Sequence, residues 1–283
     1  MEASTELLEV TAGCSHNKCA FCTMYRNTKF GVSPADHVEQ DLKELKERNS
    51  KVRRIFLVNG EAMVLSAVRL IEIGQLIHQY FPEIEIITSY ASIQNLKNKS
   101  VDDLKVLRKL KFNEFHIGLE SAYDPALKMM NKGFTVAEAY ENLKKLKDAG
   151  MDWDVHVLTG FAGKGKSDVH IRETAKLINE FKPYMVSVMP TAVISGTELE
   201  GIRDSGAFVE CTELEKLEEE KMLLRLLDYQ GLEEAHFFGS HHYNLIPVSG
   251  KLCYINEIIE FIDKKMAMID GTVLNSVVPR MAI

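Results

Sequence analysis

Three cysteines close together near the start of the chain are its most distinctive chemical feature. Cys14, Cys19 and Cys22 follow the spacing Cys-x4-Cys-x2-Cys. Thiolates this near to one another can bind a zinc ion or an iron–sulfur cluster, because both take soft sulfur ligands. The other two cysteines, Cys211 and Cys253, stand alone, and an odd total of 5 suits a metal site better than a disulfide framework.

Three kinds of site fit this cysteine loop. A zinc site needs four ligands, and His16 could complete it. A ferredoxin-like electron carrier shares the first spacing but needs a fourth cysteine, for which Cys211 and Cys253 are the candidates. In the third kind, three cysteines hold a cluster and leave one iron open, and an open coordination position is what a catalytic metal requires.

Further polar or glycine-rich segments follow predicted strands along the chain. Short apolar or β-branched runs, each ending at such a segment, predict the strands, and helix-spaced apolar stripes lie between them. The carboxyl ends of parallel strands meet at one edge of a sheet, where loops converge on a site. The candidate site residues at these ends are Asn59, Gly60 and Glu61, then Tyr90, then Glu120 and Ser121, and finally Gly160.

The elements that must position these residues alternate regularly over the first two thirds of the chain. Six strand–helix alternations predict an α/β fold with a parallel sheet. We expect residues 1–190 to form a barrel-like core of the (βα)6 type. We expect residues 191–283 to form a mainly helical C-terminal extension packed on that core.

The predicted extension contains charged and histidine-rich segments. Thr212 and Glu215 form a capping box for a helix whose charged stretch, residues 213–221, predicts a solvated face. The following stretch, residues 236–250, has no regular period and carries a histidine pair, His241 and His242. This stretch is predicted to be irregular, and within it Ser240 to Tyr243 is predicted to help close the mouth of the barrel. The two histidines are therefore candidate substrate-side residues together with Tyr90; a second metal site and a purely structural role are the alternatives.

The cysteine loop resembles that of the radical S-adenosylmethionine (SAM) superfamily. The usual spacing there is Cys-x3-Cys-x2-Cys, so this chain has one extra residue in the first interval. Phe21 directly before the last cysteine, and the position of the loop after the first strand, agree with the family. The likeness extends along the whole chain and is greatest to the coproporphyrinogen-oxidase and elongator-like branches.

The resemblance implies a partial TIM-like barrel and a specific set of ligands. Cys14, Cys19 and Cys22 would hold a [4Fe–4S] cluster that cleaves SAM reductively to a 5′-deoxyadenosyl radical, and this radical would abstract hydrogen from the substrate. Asn59-Gly60-Glu61 resembles the Gly-Gly-Glu motif that meets the ammonium group of SAM. The remaining residues implied to contact the cofactor are Phe21, Glu120, Ser121 and Gly160.

Composition narrows the possible partners and location. The net charge of −7 argues against a broad nucleic-acid-binding face, so a small-molecule substrate is the better hypothesis. No apolar run is long enough to cross a bilayer, and the first residues do not resemble a signal peptide. We therefore expect a cytoplasmic enzyme that receives electrons from a reductant such as flavodoxin or ferredoxin. The sequence leaves the substrate and the oligomeric state open.

Overall fold

The computed structural model describes residues 5–280, which form an α/β fold built on a mostly parallel sheet of eight strands that does not close. The strands are β1 (Glu6–Glu9), β4 (Arg54–Val58), β5 (Ile86–Ala91), β6 (Phe115–Glu120), β7 (Trp153–Thr159), β8 (Met185–Pro190), β9 (His236–Gly239) and β10 (Val248–Lys251), in that order across the sheet. The short strands β2 (Thr11–Ala12) and β3 (Gly31–Val32) pair separately. All six predicted strands are present, and the predicted α/β partial-barrel class is confirmed.

The helices occupy the predicted intervals between the strands. Their apolar stripes are buried as the spacing predicts; Val38, Leu42 and Leu45 of the first helix are examples. The helices are α1 (Ala35–Arg48), α2 (Ala67–Tyr80), α3 (Ile93–Leu96), α4 (Val101–Lys109), α5 (Asp124–Met129), α6 (Val136–Asp148), α7 (Ser167–Phe181), α8 (Glu198–Asp204), α9 (Glu213–Leu226), α10 (Ile255–Met266) and α11 (Gly271–Leu274).

Contacts between residues divide the chain into two compact units. The first unit comprises Met1–Asn17, Tyr25–Gly118 and Glu138–Trp153, and the second comprises Lys18–Met24, Leu119–Ala137 and Asp154–Ile283. In the first unit, β1, β4, β5 and β6 pair in parallel. In the second, β7, β8 and β9 pair in parallel and β10 is antiparallel to β9. The predicted boundary at residue 190 stays a prediction.

The C-terminal part contains two strands that the sequence did not predict. The stretch predicted to be irregular begins with β9 and ends in β10, so it extends the sheet instead of forming only a loop. No alternation of apolar and polar residues marks these strands; β9, for example, has the sequence His-Phe-Phe-Gly.

Among residues 5–280, no helix combines the length and the hydropathy that a membrane span requires.

Most charged residues in the first part of helix α9 are buried, so the prediction of a solvated face is wrong. The capping box of Thr212 and Glu215 is confirmed. Two helices that are distant from α9 in the sequence, α7 and α10, pack against it and cover its polar side. Charge alone predicts exposure, whereas here charged residues of both signs are buried, namely Glu213, Lys216, Glu219, Glu220 and Lys221.

Ion pairs compensate part of the charge buried on α9. Arg280 makes a bidentate contact with Glu213 at 2.6 and 2.9 Å, and Lys216 lies 3.1 Å from the same carboxylate. Glu220 lacks such compensation: its Oε1 atom has no hydrogen-bond partner among the described residues. A methyl group at Gly239 would come within 2.9 Å of that oxygen, so the carboxyl lies against β9. Burial raises the pKa of Glu220 to about 8.

We predict that Glu220→Gln stabilises the protein, and more so as the pH rises. The pKa of the carboxyl is about 8 when folded and has an ordinary value of 4.5. Between these values the unfolded chain binds fewer protons, so rising pH favours unfolding of the natural protein but not of the variant. Thermal unfolding should show a gain of about 2 °C or more near pH 8 and a smaller gain near pH 5.

Glu260→Gln is the matched control for this prediction. Its side chain is exposed on α10, the helix that packs against α9, so the same chemical change should alter the melting temperature little. A loss of stability in Glu220→Gln at pH 8 would show that the carboxylate is ionised and paired in the folded state.

Candidate functional site

The first cysteine is hydrogen-bonded to Glu61, which lies three residues after the end of β4. Glu61 is buried and its Oε1 accepts hydrogen bonds from the Ser15 backbone N–H at 2.9 Å, from the Ser15 hydroxyl and from the Cys14 thiol at 3.5 Å. Burial and the negative charge of Glu61 raise the pKa of the Cys14 thiol. The Glu61 side chain makes no capping bond to the short 3-10 helix that follows it, Ala62–Val64. Its observed role is therefore to anchor the start of the cysteine loop.

The two residues before Glu61 bring the turn close to the same loop. Asn59 and Gly60 have φ values of +64° and +130°, and a Cβ at Gly60 would lie 2.0 Å from the carbonyl oxygen of Gly13. A residue with a side chain cannot occupy position 60 without displacing the backbone of the loop. The Asn59 side chain donates a hydrogen bond to Glu9 at the end of β1. The predicted Asn-Gly-Glu motif is thus packed directly against the segment that leads to Cys14.

Lys99 is a positioning residue that sequence reasoning missed. Its buried ammonium donates to the carbonyl oxygens of Met63 at 2.6 Å, Leu65 at 2.9 Å and Asn95 at 2.9 Å. Burial lowers the pKa of Lys99 to about 8, against the opposing charge of Asp103. The ammonium fixes the turn immediately after Glu61, and nothing in the local sequence distinguishes this lysine from a surface one.

The other two cysteines lie in the second unit, in a turn fixed by its backbone. The N–H of Cys22 donates to the carbonyl of Cys19 at 3.2 Å. Between them Ala20 is buried; its N–H donates to Met130 O at 2.9 Å and its carbonyl accepts from Leu199 at 2.8 Å. These two bonds tie the turn to the segment after α5 and to the start of α8.

Aromatic and charged side chains pack beneath this turn. Phe21 meets the ring of Phe161 edge-on, with centroids 5.4 Å apart, and the Lys132 ammonium lies 5.8 Å from the Phe21 centroid. Lys132 forms a buried ion pair with Glu120 at 3.1 Å. Burial alone would lower the pKa of Lys132, but Glu120 and the thiolates of Cys19 and Cys22 outweigh it and raise the pKa. The carboxylate of Glu120 is thus paired in the interior of the unit.

Ser121 and Gly160 are engaged in contacts within the protein. The Ser121 hydroxyl lies 2.8 Å from His170 Nδ1, and His170 Nε2 lies 3.1 Å from the Leu158 carbonyl. Burial lowers the pKa of His170 to about 4, so its ring is neutral and donates from Nε2. The Gly160 N–H donates to Glu219 at 2.5 Å. Whether Ser121 and Gly160 also contact a cofactor stays a prediction.

The candidate substrate-side residues lie in different units. In the first unit, Tyr90 is 41% exposed and packs edge-on against Phe56 at 5.1 Å. In the second, His241 and His242 stack with centroids 4.3 Å apart, in the loop between β9 and β10. Burial, then the charges of His242 and His156, lower the pKa of His241. The Tyr243 N–H donates to His241 Nδ1, which places the ring proton on Nε2.

A polar group on β7 and β8 was missed by sequence reasoning. The buried Asp154 lies 3.0 Å from His156 Nε2 and accepts from the Ser187 hydroxyl at 2.9 Å through both oxygens. Alternation along β7 places Asp154 and His156 on one face of the strand. Burial would lower the pKa of His156, yet the charges of Asp154 and Glu120 raise it. The spacing Asp-x-His within an apolar strand was the available signal.

The open, mostly parallel sheet with a cysteine loop after its first strand is a partial-barrel α/β fold. The sequence profile of the Radical SAM superfamily matches residues 8–178, and the chain belongs to this superfamily. The superfamily consists of enzymes that use an iron–sulfur cluster and SAM. The resemblance predicted from the sequence is thereby confirmed.

Similar proteins include members of the two expected branches. The tRNA uridine(34) acetyltransferase of Methanocaldococcus infernus is 28% identical over 120 residues, which are 42% of this chain and 22% of the relative. The M. infernus Elp3 structure has a TM-score of 0.56 at 15% identity, covering 98% of this chain and 65% of that one. Coproporphyrinogen III oxidase (HemN) from Escherichia coli has a TM-score of 0.50 at 16% identity, covering 66% and 44%. The structural likenesses establish the fold alone, and the chain spans about a fifth of the acetyltransferase.

We predict that Asp154→Asn lowers the pKa of the His156 ring. The neutral amide keeps the shape of the carboxylate but removes the charge that raises this pKa, and the opposing effect of burial remains. Titration of the ring resonances by NMR measures the change. Ser187→Ala is the control, since it removes a hydrogen bond to Asp154 but leaves its charge. An unchanged pKa in Asp154→Asn would mean that other groups hold the proton on His156.

Proposed function

We propose that this superfamily member binds a [4Fe–4S] cluster through Cys14, Cys19 and Cys22 and uses it to cleave SAM reductively. The observation that carries the proposal is the contact of Glu61 with Cys14 and Ser15. Glu61 belongs to the motif that would take the ammonium group of SAM. In the first unit, that motif and the first cysteine are therefore already joined.

The donor set suits a cluster with one open iron. The three cysteines of the loop are soft ligands, each partly exposed and none in a disulfide. Cys211, one candidate for a fourth ligand, is buried, and its pKa is raised to about 12 by burial and by the charges of Glu219 and Glu215. Such a thiol is a poor source of thiolate. This favours three protein ligands over the four of a ferredoxin-like carrier.

Each candidate residue has a specific proposed role. When bound, the cluster and SAM supply a 5′-deoxyadenosyl radical that abstracts hydrogen from the substrate. Glu61 accepts a charge-assisted hydrogen bond from the SAM ammonium, and Asn59 and Gly60 offer backbone groups beside it. Glu120 and Ser121 approach the ribose and methionine parts of SAM. The other proposed contacts are Gly160 near the adenine, Phe21 in the cysteine loop, and Tyr90, His241 and His242 toward the substrate.

The proposed substrate is a small molecule, and the electron source is a reductant such as flavodoxin or ferredoxin. The acidic composition supports the first point, because a net charge of −7 does not favour a phosphate backbone. One relative acts on tRNA by its name, but the matched part is 22% of its length. Binding of tRNA at physiological salt would overturn the small-molecule proposal without affecting the radical chemistry. The cytoplasmic location stays a prediction.

We predict that replacing any one of Cys14, Cys19 and Cys22 by Ala abolishes cluster loading. After anaerobic reconstitution, the natural protein should hold about four iron atoms per chain and release 5′-deoxyadenosine with SAM and dithionite. Each variant should lose most of the iron and all of this product. Cys253→Ser, at an exposed position, is the control and should retain both.

The same preparation separates the alternatives. Stoichiometric zinc without iron would identify a zinc-binding module. A cluster whose electron paramagnetic resonance spectrum does not change on addition of SAM would identify an electron carrier with four protein ligands. Only a spectrum that changes with SAM supports an open iron.

We predict that His241→Ala slows substrate turnover and leaves the iron content intact. The His241 ring lies in the loop between β9 and β10, outside the cysteine loop, so its loss should not affect cluster assembly. Iron analysis together with deuterium transfer from candidate metabolites to 5′-deoxyadenosine measures both properties. His236→Ala, in the same extension, is the control for general effects of removing a histidine. Loss of iron in His241→Ala would exclude a substrate-side role.

A further inference from the structure

The turn that carries Cys19 and Cys22 is bonded to the segment that carries a buried cation. Ala20, between the two cysteines, donates its N–H to the carbonyl of Met130 at 2.9 Å. Two residues further along comes Lys132, whose ammonium lies 5.8 Å from the ring centroid of Phe21. Lys132 is 7% exposed. The distance between this charge and the cysteine turn is therefore fixed by backbone and ring contacts within one unit.

The counter-ion of Lys132 is equally well fixed. Glu120 lies 3.1 Å from the ammonium, is 9% exposed and ends β6 with a φ of +64°. A left-handed conformation is uncommon for a residue with a side chain, so the sheet end holds this carboxylate at a small backbone cost. The buried pair thus places one positive and one negative charge at fixed positions in the unit that holds Cys19 and Cys22.

Charges at such positions act on any cluster held by these cysteines. The reduction potential of an iron–sulfur cluster depends on nearby charges, hydrogen bonds and solvent exposure. A buried charge is weakly screened and acts over several ångströms. Phe21 stands directly before Cys22 in the turn, so the ammonium that packs on its ring would stabilise added negative charge on a cluster held there.

We propose that the buried pair of Lys132 and Glu120 sets the reduction potential of the cluster. Lys132 raises the potential because it stabilises the reduced, more negative cluster, and Glu120 lowers it by the opposite effect. In this role the two residues do not bind the cluster. They hold two charges at fixed positions beside the cysteine turn. This inference rests on the proposed function, since it requires a cluster at Cys14, Cys19 and Cys22.

The test is a redox titration of the reconstituted full chain without SAM, followed by electron paramagnetic resonance. Glu120→Gln should shift the midpoint potential upward, and Lys132→Met should shift it downward. Each shift should change the ratio of reduced to oxidised cluster about tenfold at a fixed potential, which is about 59 mV for one electron. The double variant should fall between the single ones.

Two further variants separate charge from packing. Lys132→Arg keeps the positive charge and should keep the potential close to that of the natural protein. Lys128→Met makes the same chemical change as Lys132→Met at an exposed position of α5, and should leave the potential unchanged. If Glu120→Gln and Lys132→Met shift the potential in the same direction, or not at all, with full iron content, the pair does not set it.

Failure of the proposed function gives a different result. The natural protein would then take up no iron–sulfur cluster, or would hold zinc, before any variant is compared. Should Lys132→Met fail to fold or to load iron, the comparison of Glu120→Gln with the natural protein still decides the sign, because that variant changes only the carboxylate.

Discussion

The burial of charged side chains is the constraint on which the described site depends. A charge removed from water needs a partner of opposite charge or several hydrogen bonds. Glu61 meets this need with donors from the cysteine loop, Lys99 with three backbone carbonyls, and Lys132 with Glu120. Because each partner belongs to a different stretch of chain, satisfying the charge also fixes the stretches relative to each other within the unit.

Backbone geometry adds a second constraint at the same places. Asn59, Gly60 and Glu120 all have positive φ values and lie at or just after strand ends. At Gly60 the neighbouring backbone of Gly13 leaves no room for a Cβ. Strand ends in this conformation turn the chain sharply, which keeps the polar side chains that follow at the sheet edge. Rigid placement of such groups favours cofactor binding because little ordering remains to be done on binding.

The C-terminal part shows how buried charge organises structure outside the cysteine loop. Glu213 on α9 pairs with both Lys216 and Arg280, and its pKa is lowered by these partners in spite of burial. Arg280 also donates to the carbonyl of Tyr243, beside the stacked histidines. The guanidinium of Arg280 therefore joins the end of the described chain to α9 and to the histidine loop. Glu220, in contrast, is uncompensated, and its raised pKa is the consequence.

The sequence by itself determined the superfamily, the α/β class, the six core strands and the capping box of α9, since these depend on local spacing and on motifs of a few residues. It did not reveal β9 and β10, the buried charges of α9, Lys99, or the group of Asp154, His156 and Ser187. Each of these depends on partners distant along the chain: a lysine or an aspartate has the same local pattern whether it is solvated or paired in the interior. Only the tertiary structure brings the partners together, and with them the burial and electrostatic environment that decide what each charge does.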